Sequence, residues 1–420
     1  MISRTQLSRR NFLLTTAAGV TWLTTMGKAN ARVPAGKDAF VEKLLNQMTL
    51  EEKAGQLHME GVLSPRMVEP NFQKINPFTP SFSPEEAQSL LDAQLARIRS
   101  GGIGVMTSPE DIDSVVLAQK TAVEETRLKI PLLFGADIIH GHQTVFPVPL
   151  AEAASFEPSL ASRTARACAV EACSNLGLDI TYAPMVDIGR DQRWGRVVEG
   201  AGEDVLLGSL FAAARVRGFQ GNERSGVDSL LACPKHFAAY GAAESGLDYA
   251  GTSISDRVLH ETYLPPFAAA FEAGAILTMA AFNTIDGVPS TGSHRLLTDI
   301  LRGELGFRGA VISDFQSEIE LVQHGFAADE RDAARLALLR AATSAWSAGS
   351  FRATYRTSCA PVCSIRKYSI RRYGACCSSN ARPACSTIRS VASTKDVPQV
   401  HRHLHTANWL AKRQQDRSCC

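Results

Sequence analysis

The chain has 420 residues, of which 45% are hydrophobic and 20% are charged. This length is enough for one large domain or two ordinary ones, and the composition is that of a soluble globular protein rather than a membrane-embedded one. The net charge of +2 indicates no class of partner by itself. We expect no nucleic-acid partner and no cofactor.

The first 31 residues have the features of an export signal. Arg9 and Arg10 precede an apolar run at residues 12–26, and Ala-Asn-Ala follows at 29–31. A basic start, an apolar core and an A-x-A site are typical of a secretory signal, and paired arginines indicate the twin-arginine route. The alternative is a membrane anchor, but the run is shorter than the ~20 residues that span a bilayer. We therefore predict a signal peptide over 1–31, a periplasmic or secreted protein, and no stable membrane anchor.

After the signal, helical and strand-like patterns alternate. Residues 38–57 have helical spacing, and Thr49 with Glu52 forms a capping box that starts a second helix. Six apolar runs are predicted strands, at residues 102–108, 131–138, 178–188, 229–237, 275–283 and 309–315. Alanine-rich stretches of helical period, such as 157–175 and 256–273, lie between them. Strands that alternate with helices predict a parallel sheet.

Polar side chains follow the predicted strands on their C-terminal side. They are Asp137, Asp187, Lys235, His236, Asn283 and Asp314. In a (β/α)8 barrel the C-terminal strand ends face one shared pocket, whereas in a doubly wound sheet they line a crevice. No glycine-rich phosphate loop follows the first predicted strand. We therefore predict an α/β fold, a TIM-type (β/α)8 barrel, with its site at this end.

Asp314 is the leading catalytic candidate. It follows the apolar run at residues 310–312. A carboxylate held at a strand end among apolar neighbours suits attack on a carbon such as C1 of a sugar. Alternatively, Asp314 caps the helix that follows.

Lys235 and His236 stand side by side at another strand end. At a strand–loop junction both can reach a ligand and hydrogen-bond its hydroxyl groups. Lys235 could instead form a Schiff base. The structural alternative is a lysine salt bridge next to a buried histidine.

The stretch 187–205 is the richest in charged residues. Its charged members are Asp187, Arg190, Asp191, Arg193, Arg196, Glu199, Glu203 and Asp204. Arginines and carboxylates can grip vicinal hydroxyls, and Trp194 offers a face for stacking. Alternatively, these charges form an ion-pair network that braces a long loop. His140 and His142 are only half of a metal site, so we expect no metal.

Taken together, these stretches resemble glycoside hydrolase family 3, the family of β-glucosidases and β-xylosidases. The matching phrases are MTLEEKAGQL at 48–57, LLFGADIIHG at 132–141, APMVDIGRDQRWGRVVEGAGED at 183–204, KHFAAYGAAESGLDY at 235–249 and FNTIDGVPSTGSHRLLTDILRGELGFRGAVISDF at 282–315. They run in family order across residues 40–340. The resemblance implies that Asp314 is the nucleophile. It also implies a set of residues that bind the sugar in the first subsite, which are Asp137, Arg196, Lys235 and His236, with Tyr249 and Met279 lining the same pocket.

The activity implied by the resemblance is that of a retaining exo-β-glycosidase. Such an enzyme hydrolyses terminal β-D-glucosyl or xylosyl residues of oligosaccharides or β-glucosides through a covalent intermediate on Asp314. A second carboxyl about 5–5.5 Å away must serve as acid and base. In β-glucosidases of the family it is a glutamate on a second domain, so the acid/base residue stays unassigned. The Gly-His and Asp-Ser-His signature of the N-acetylglucosaminidase branch is missing from AAYGAAESG at 238–246.

The C-terminal segment 341–420 differs from the rest of the chain. It carries 13 Lys and Arg against 2 Asp and Glu, and seven of the ten cysteines, whereas the other 340 residues carry 31 basic and 40 acidic groups. We interpret the segment as the product of a reading-frame shift near residue 340. The alternative is a genuine cysteine-rich basic appendage.

The predicted domains are therefore a signal peptide at 1–31, a family 3 N-terminal barrel at 32–340 and a disordered or aberrant tail at 341–420. The barrel is expected to be incomplete at its last strand, which exposes pairing groups and apolar surface. The alternatives to a working glycosidase are a truncated, catalytically impaired glycan-binding product without an acid/base domain, and an aldolase-type barrel that uses Lys235.

Overall fold

The computed structural model describes residues 39–68 and 82–339 of the chain. The predicted signal peptide at 1–31 and the predicted tail at 341–420 lie outside the described residues. The expectation that the barrel is incomplete at its last strand falls there too. All three stay predictions.

The described chain begins with two short helices. Helix α1 spans Ala39–Gln47 and helix α2 spans Leu50–Gly55. Thr49 Oγ1 accepts a hydrogen bond from the backbone N–H of Glu52 at 3.2 Å, and Glu52 Oε2 accepts one from the N–H of Thr49 at 2.8 Å. The predicted capping box is therefore present, and it satisfies two N–H groups at the start of α2.

Seven short parallel strands form the frame of the described chain, together with a two-stranded hairpin. In chain order the strands are β1 Met59–Gly61, β2 Val105–Thr107, β3 Leu133–Ala136, β4 Ile180–Thr181, β5 Leu231–Ala232, β6 Leu277–Met279, β7 Thr284–Ile285, β8 Val288–Pro289 and β9 Ala310–Ile312. Strands β1 to β5 pair in parallel in chain order, and β6 pairs in parallel with β9. Beyond β5, Phe237 forms a parallel bridge with Ala280, so the two sheets continue into one another.

The antiparallel pair β7–β8 is a separate hairpin. Its turn residues Asp286 and Gly287 both have positive φ, 50° and 80°, as a type I′ turn requires. Each of the six predicted strands contains one of the observed parallel strands. The seventh, β1, was not predicted, because three residues are too few to show a pattern of their own.

Helices connect the strands and cover their outer side. The remaining α-helices are α3 Pro84–Arg99, α4 Ile112–Glu125, α5 Pro149–Ala153, α6 Pro158–Leu176, α7 Val205–Gln220, α8 Asp256–Val258, α9 Pro265–Glu272, α10 Ser317–Gln323 and α11 Glu330–Leu339. Two further segments, Leu259–Tyr263 and Arg295–Glu304, are π-helical. Apolar side chains of strands and helices form one buried layer between them, which includes Met106, Phe134, Ala169, Phe219 and Phe267.

A second buried cluster fills the inside of the strand frame. It includes Met59, Val105, Leu133, Ile180, Tyr182, Leu231, Leu277 and Ile312. The register aligns Met59 with Val105 and Val105 with Leu133, as in the side-chain layers of a TIM barrel. A Cβ at Gly135 would lie 2.5 Å from Tyr182 Oη. Glycine is therefore the residue that lets the Tyr182 ring fill this interior.

The predicted α/β fold of the TIM-barrel type is confirmed. Parallel strands joined by helices bring their C-terminal ends to one side, where barrel enzymes carry their active sites. Within residues 39–68 and 82–339, no helix is both long and apolar enough to cross a membrane.

Candidate active site

Asp314 lies two residues after β9 and is 9% exposed. Its Oδ1 accepts a hydrogen bond from the backbone N–H of Phe315 at 2.7 Å, whereas Oδ2 has no hydrogen-bond partner among the described residues. The alternative role as a helix cap is wrong, because α10 begins at Ser317 and Gln316 occupies its N-cap position. The side chain is therefore held by one oxygen and free at the other.

The surroundings of Asp314 set its protonation. Burial raises the pKa of Asp314 to about 6, while Lys235, the N–H of Phe315 and Arg196 act to lower it. The carboxyl is thus ionised at pH 7 in a site that excludes most water. Such a group is a stronger base and nucleophile than a carboxylate in water, because it has lost part of its hydration.

Lys235 follows β5 and forms an ion pair with Asp137, which follows β3. Lys235 Nζ lies 2.5 Å from Asp137 Oδ1. The lysine is 4% exposed, whereas the Asp137 side chain is 49% exposed. The salt bridge that was the structural alternative for Lys235 is therefore present. Because Asp137 remains open to solvent, its other oxygen can still bind a ligand hydroxyl.

His236 lies between two carboxylates. Its Nδ1 is 2.9 Å from Asp187 Oδ2, its backbone N–H donates to the same oxygen at 2.8 Å, and its Nε2 is 3.4 Å from Asp314 Oδ2. Burial lowers the pKa of His236 well below its usual value, and Arg196 and Lys235 lower it further. The imidazole is therefore neutral at pH 7, and it can exchange hydrogen bonds with a ligand but cannot supply a second positive charge.

Arg196 is the partly exposed cation of the site. Its Nε lies 2.7 Å from Glu199 Oε1, and its guanidinium lies over the Tyr240 ring, 5.6 Å from the centroid. It acts electrostatically on both Asp187 and Asp314. A guanidinium that is 21% exposed keeps donors available for hydroxyl oxygens of a ligand.

Part of the stretch 187–205 makes the local contacts that the structural alternative predicted. Arg193 pairs with Asp191 at 2.6 Å on the surface. Trp194 is 2% exposed and donates from Nε1 to Asp248 Oδ1 at 2.9 Å. The suggestion that Trp194 offers a face for stacking is wrong, because its ring is enclosed in the core.

The chain was compared with known proteins. The model of the glycosyl hydrolase family 3 N-terminal domain matches residues 49–341. The chain belongs to this family. The predicted family is therefore confirmed, and the matched region overlaps the predicted barrel domain at 32–340.

Relatives of the chain include glucosidases and xylosidases. A periplasmic β-glucosidase of Salmonella typhimurium is 38% identical over 305 residues, which are 73% of this chain and 37% of that protein. A putative β-xylosidase of Formosa agariphila is 34% identical over 65% of this chain and 36% of that protein. The crystal structure of a β-glucosidase from Listeria innocua in complex with glucose superposes with a TM-score of 0.70 at 31% identity, over 83% of this chain and 48% of that one. The chain thus spans about half or less of the length of these family 3 proteins.

The two remaining predicted pocket residues lie at different depths. Tyr249 is 51% exposed, and its ring centroid is 4.6 Å from that of Phe282. Met279 is 3% exposed and belongs to the buried cluster inside the strand frame. Tyr249 is therefore accessible at the site, whereas Met279 is part of the floor beneath it.

Three further acidic residues of this region have partners or a degree of burial that the sequence did not predict. Asp187, known only as a strand-end acid, is the partner of His236. Glu318 is 2% exposed, and burial raises its pKa to about 7 although the Ser313 hydroxyl acts to lower it. Burial and the charge of Asp314 raise the pKa of half-buried Glu320 to about 7. The acidic spacing after Asp314 was visible in the sequence, but its burial was not.

The histidine pair was considered a weak metal signal. His140 Nδ1 lies 2.9 Å from the carbonyl oxygen of Phe146. Burial lowers the pKa of His142, while Glu171 acts to raise it. In the part of the chain that the structure describes, no three His, Cys, Asp or Glu side chains are grouped so that they could hold a metal ion.

Proposed function

We propose that the protein is a retaining exo-β-glycosidase that removes terminal β-D-glucosyl or β-D-xylosyl residues through a covalent intermediate on Asp314. The observation that carries the proposal is the state of Asp314. It is 9% exposed and its Oδ2 has no hydrogen-bond partner among the described residues. A carboxylate oxygen that is buried at a barrel strand end and makes no bond to the protein suits attack on C1 of a sugar.

The neighbours of Asp314 suit the binding of a pyranose ring. Lys235 and Arg196 offer N–H donors, Asp137 offers an acceptor, and His236 offers one ring nitrogen. Polar groups of both kinds, fixed by ion pairs at 2.5 Å and 2.7 Å, can hold adjacent hydroxyls in a defined orientation. Because the sugar is already held by these groups before the reaction, C1 can meet Asp314 without a further loss of translational and rotational entropy.

The chemical steps follow from this placement. Asp314 Oδ2 attacks C1, the bond between C1 and the leaving oxygen breaks, and that oxygen takes a proton from a second carboxyl. The same carboxyl then removes a proton from water, whose oxygen attacks C1 and releases Asp314. Two displacements at C1 leave the sugar in its original β configuration.

The acid/base carboxyl is the part of the mechanism that we assign to no described residue. It must lie about 5–5.5 Å from the nucleophile and reach the leaving oxygen. The family resemblance supports neither Glu318, which is buried, nor Glu203, which is a surface residue, in this role. We expect this carboxyl outside residues 39–339, as the family resemblance implies.

We infer that the protein acts in the periplasm or outside the cell on oligosaccharides or small β-glucosides. The paired arginines at the N-terminus support export, and one relative is named a periplasmic β-glucosidase. Since relatives include both glucosidases and xylosidases, aryl β-glucoside and aryl β-xyloside should be compared as substrates. The expected outcome is hydrolysis of at least one of them.

The test is a turnover assay of the full chain combined with proton NMR of the released sugar. The account predicts the β anomer as the first product, and Asp314→Asn as the inactive control. Appearance of the α anomer first would contradict a retaining mechanism. Reaction with a 2-fluoro sugar at Asp314 without turnover would support the alternative, an impaired glycan-binding product. Borohydride trapping of a substrate at Lys235 would support the aldolase alternative.

A further inference from the structure

Three buried ionisable groups form a row that ends at the nucleophile, in the order Asp187, His236 and Asp314. Asp187 is 4% exposed, His236 1% and Asp314 9%. His236 Nδ1 lies 2.9 Å from Asp187 Oδ2, and His236 Nε2 lies 3.4 Å from Asp314 Oδ2. The ring proton of a neutral imidazole can be on only one of these two nitrogens. If the proton is on Nε2, Asp314 faces an N–H donor. If the proton is on Nδ1, Asp314 faces a lone pair.

We propose that Asp187 is a positioning residue that holds the His236 proton on Nδ1, so that Nε2 presents a lone pair beside Asp314. The inference rests on the proposed function and concerns the same site. Asp187 Oδ2 accepts the backbone N–H of His236 at 2.8 Å as well as facing Nδ1. Two contacts to one residue fix both the position and the rotation of the ring.

The hydrogen bonding of Asp314 agrees with this tautomer. Asp314 Oδ2 has no hydrogen-bond partner in the described residues although Nε2 is 3.4 Å away. An N–H at Nε2 would donate to this oxygen, stabilise its charge and make it a weaker nucleophile. A lone pair at Nε2 leaves Oδ2 free for C1 and can itself accept a hydrogen bond from a sugar hydroxyl.

The second oxygen of Asp187 faces away from His236. Oδ1 has no hydrogen-bond partner among the described residues, and Asp187 lines a cavity of about 10 Å³ that Arg215 also lines. A cavity of this size admits at most one water molecule. Asp187 Oδ2 is therefore the oxygen that serves His236.

Cations around the row oppose a second proton on the ring, whereas the carboxyls around it do not. The charged groups that interact with members of the row are Arg196, Lys235, Asp137, Glu199, Glu318 and Glu320. Arg196 and Lys235 lower the pKa of His236 below its usual value in addition to burial. The ring is therefore neutral, and its single proton must be on Nδ1 or Nε2.

Two variants of Asp187 separate positioning from charge. Burial raises the pKa of Asp187 to about 7, so the wild type carries the full negative charge only toward the upper end of the tested pH range. Asp187→Asn removes this charge at every pH but keeps an oxygen that can accept both N–H groups of His236. Asp187→Ala removes the acceptor, so the ring proton is free to move to Nε2 and bind Asp314. The reaction to follow is labelling by 2,4-dinitrophenyl 2-deoxy-2-fluoro-β-D-glucoside, measured by intact mass between pH 4.5 and 8. Dinitrophenolate leaves without protonation, so this reaction does not depend on the acid/base residue.

The expected result is that Asp187→Asn keeps the wild-type pH profile and rate within about threefold. Asp187→Ala should label about tenfold more slowly, with the midpoint of its rise moved about one pH unit lower, as a donated hydrogen bond to a carboxylate would cause. Equal changes in both variants would mean that Asp187 acts through its charge, and unchanged profiles in both would mean that it does not act on Asp314. Either result overturns the proposal.

The control lies at the opposite end of the same strand. Asp179 precedes β4, is 5% exposed and accepts the backbone N–H of Phe134 at 3.0 Å. Asp179→Ala also deletes a buried carboxylate acceptor, but it should leave the pH midpoint of labelling unchanged. If the pH midpoint of labelling moved as far in Asp179→Ala as in Asp187→Ala, the effect would come from a general loss of structure. That result would overturn the proposal.

A second measurement does not depend on activity. The side-chain nitrogen signals of His236, assigned by their loss in His236→Gln, report which ring nitrogen carries the proton. The proposal predicts a proton on Nδ1 in the unliganded wild type, and a proton on Nε2 overturns it. If Nδ1 carries the proton but the folded wild type does not label, the proposed function fails while the positioning role of Asp187 is supported.

Discussion

Two groups of buried carboxyls in this barrel differ in whether their oxygens are satisfied. In the helical layer, Glu152 accepts hydrogen bonds from the Thr164 hydroxyl on Oε1 and from Arg215 on Oε2. At the strand ends, Asp314 has one oxygen without a hydrogen-bond partner within the described residues, and Glu318 is buried so that its pKa is raised to about 7 even though the Ser313 hydroxyl acts to lower it. All three residues are at most 9% exposed. Burial is therefore common to both groups, and hydrogen bonding separates them.

The difference indicates what each group does. A buried charge with all its hydrogen bonds made stabilises one arrangement of the fold, whereas an unsatisfied one costs stability and persists where a ligand or a reaction uses it. The Glu152–Arg215 pair also reaches the site, because Arg215 donates to the carbonyl oxygen of Ile139 at 2.8 Å. That carbonyl lies two residues after Asp137, so the satisfied group holds the loop on which a site residue stands.

The largest expected effect is the loss of activity in Asp314→Asn. Removal of the nucleophile should slow hydrolysis of an aryl β-glucoside by on the order of 10³-fold or more. Stability to urea should not fall, because the variant removes a buried charge with an unsatisfied oxygen. A loss of stability comparable to that of a core substitution would contradict the difference between satisfied and unsatisfied buried carboxyls.

The second prediction concerns Glu152→Ala, which leaves Arg215 buried without its anion. The expected cost is about 3–5 kcal/mol in the free energy of unfolding, as for other broken buried pairs. Urea unfolding followed by circular dichroism measures it. Glu152→Gln is the matched control, since its amide oxygen can still accept from Arg215 while its NH2 group can donate to the Thr164 hydroxyl oxygen, and it should cost less. Equal stability of all three proteins would show that the pair is unimportant.

The third prediction is that the free energy of unfolding depends on pH with opposite sign through a buried carboxyl of raised pKa, Glu318, and one of lowered pKa, Glu60. Glu318 has a pKa of about 7 in the folded protein because of its burial, so between pH 4.5 and 7 the folded state binds more protons than the unfolded state. Stability from this group is therefore lost as pH rises through that window. Glu318→Gln should gain up to about 3 kcal/mol relative to wild type above pH 7 and much less at pH 4.5.

Glu60 is the reference with the opposite behaviour. Burial acts to raise its pKa, but hydrogen bonds from His58, Arg97 and Gln94 outweigh it and lower the pKa to about 2. Its contribution is present above pH 4.5 and is lost as pH falls toward 2. Urea unfolding measures the stability of each variant relative to wild type between pH 2 and 7. With rising pH this difference should become less favourable for Glu60→Gln and more favourable for Glu318→Gln. Parallel pH curves would contradict the contrast.

The smallest predicted effect is that of Thr164→Val, which keeps the shape of the side chain and removes one hydrogen bond to Glu152. The cost should be about 1–2 kcal/mol, measured by urea unfolding, because the carboxylate loses one charge-assisted bond and keeps the one from Arg215. Activity should be unchanged. A cost as large as that of Glu152→Ala would place the stabilising contact at Thr164 instead.

Much of this arrangement was predictable from the sequence. Apolar runs that end in Asp137, Lys235, His236 and Asp314 predicted both the parallel barrel and the end that carries the polar residues, because parallel strands bring their C-terminal ends together. The capping box at Thr49 was predicted from four adjacent residues, since its hydrogen bonds are local.

Other features depend on contacts that no local pattern encodes. Asp187 and His236 are 49 residues apart along the chain, and their pairing follows from the adjacency of β4 and β5. The charged loop around Trp194 looked exposed, but the ring is buried at 2% exposure against Tyr240. The three-residue strand β1 forms only because β2 is beside it, so its own sequence does not specify it.

The most direct test of the account is the site of covalent labelling. The full chain is treated with 2,4-dinitrophenyl 2-deoxy-2-fluoro-β-D-glucoside, digested and mapped by mass spectrometry. The account predicts a single labelled peptide that contains Asp314, formed at a rate that rises with pH through about 6, the pKa to which burial raises this carboxyl. A label on another carboxyl, or no label on a protein that unfolds cooperatively, would contradict it.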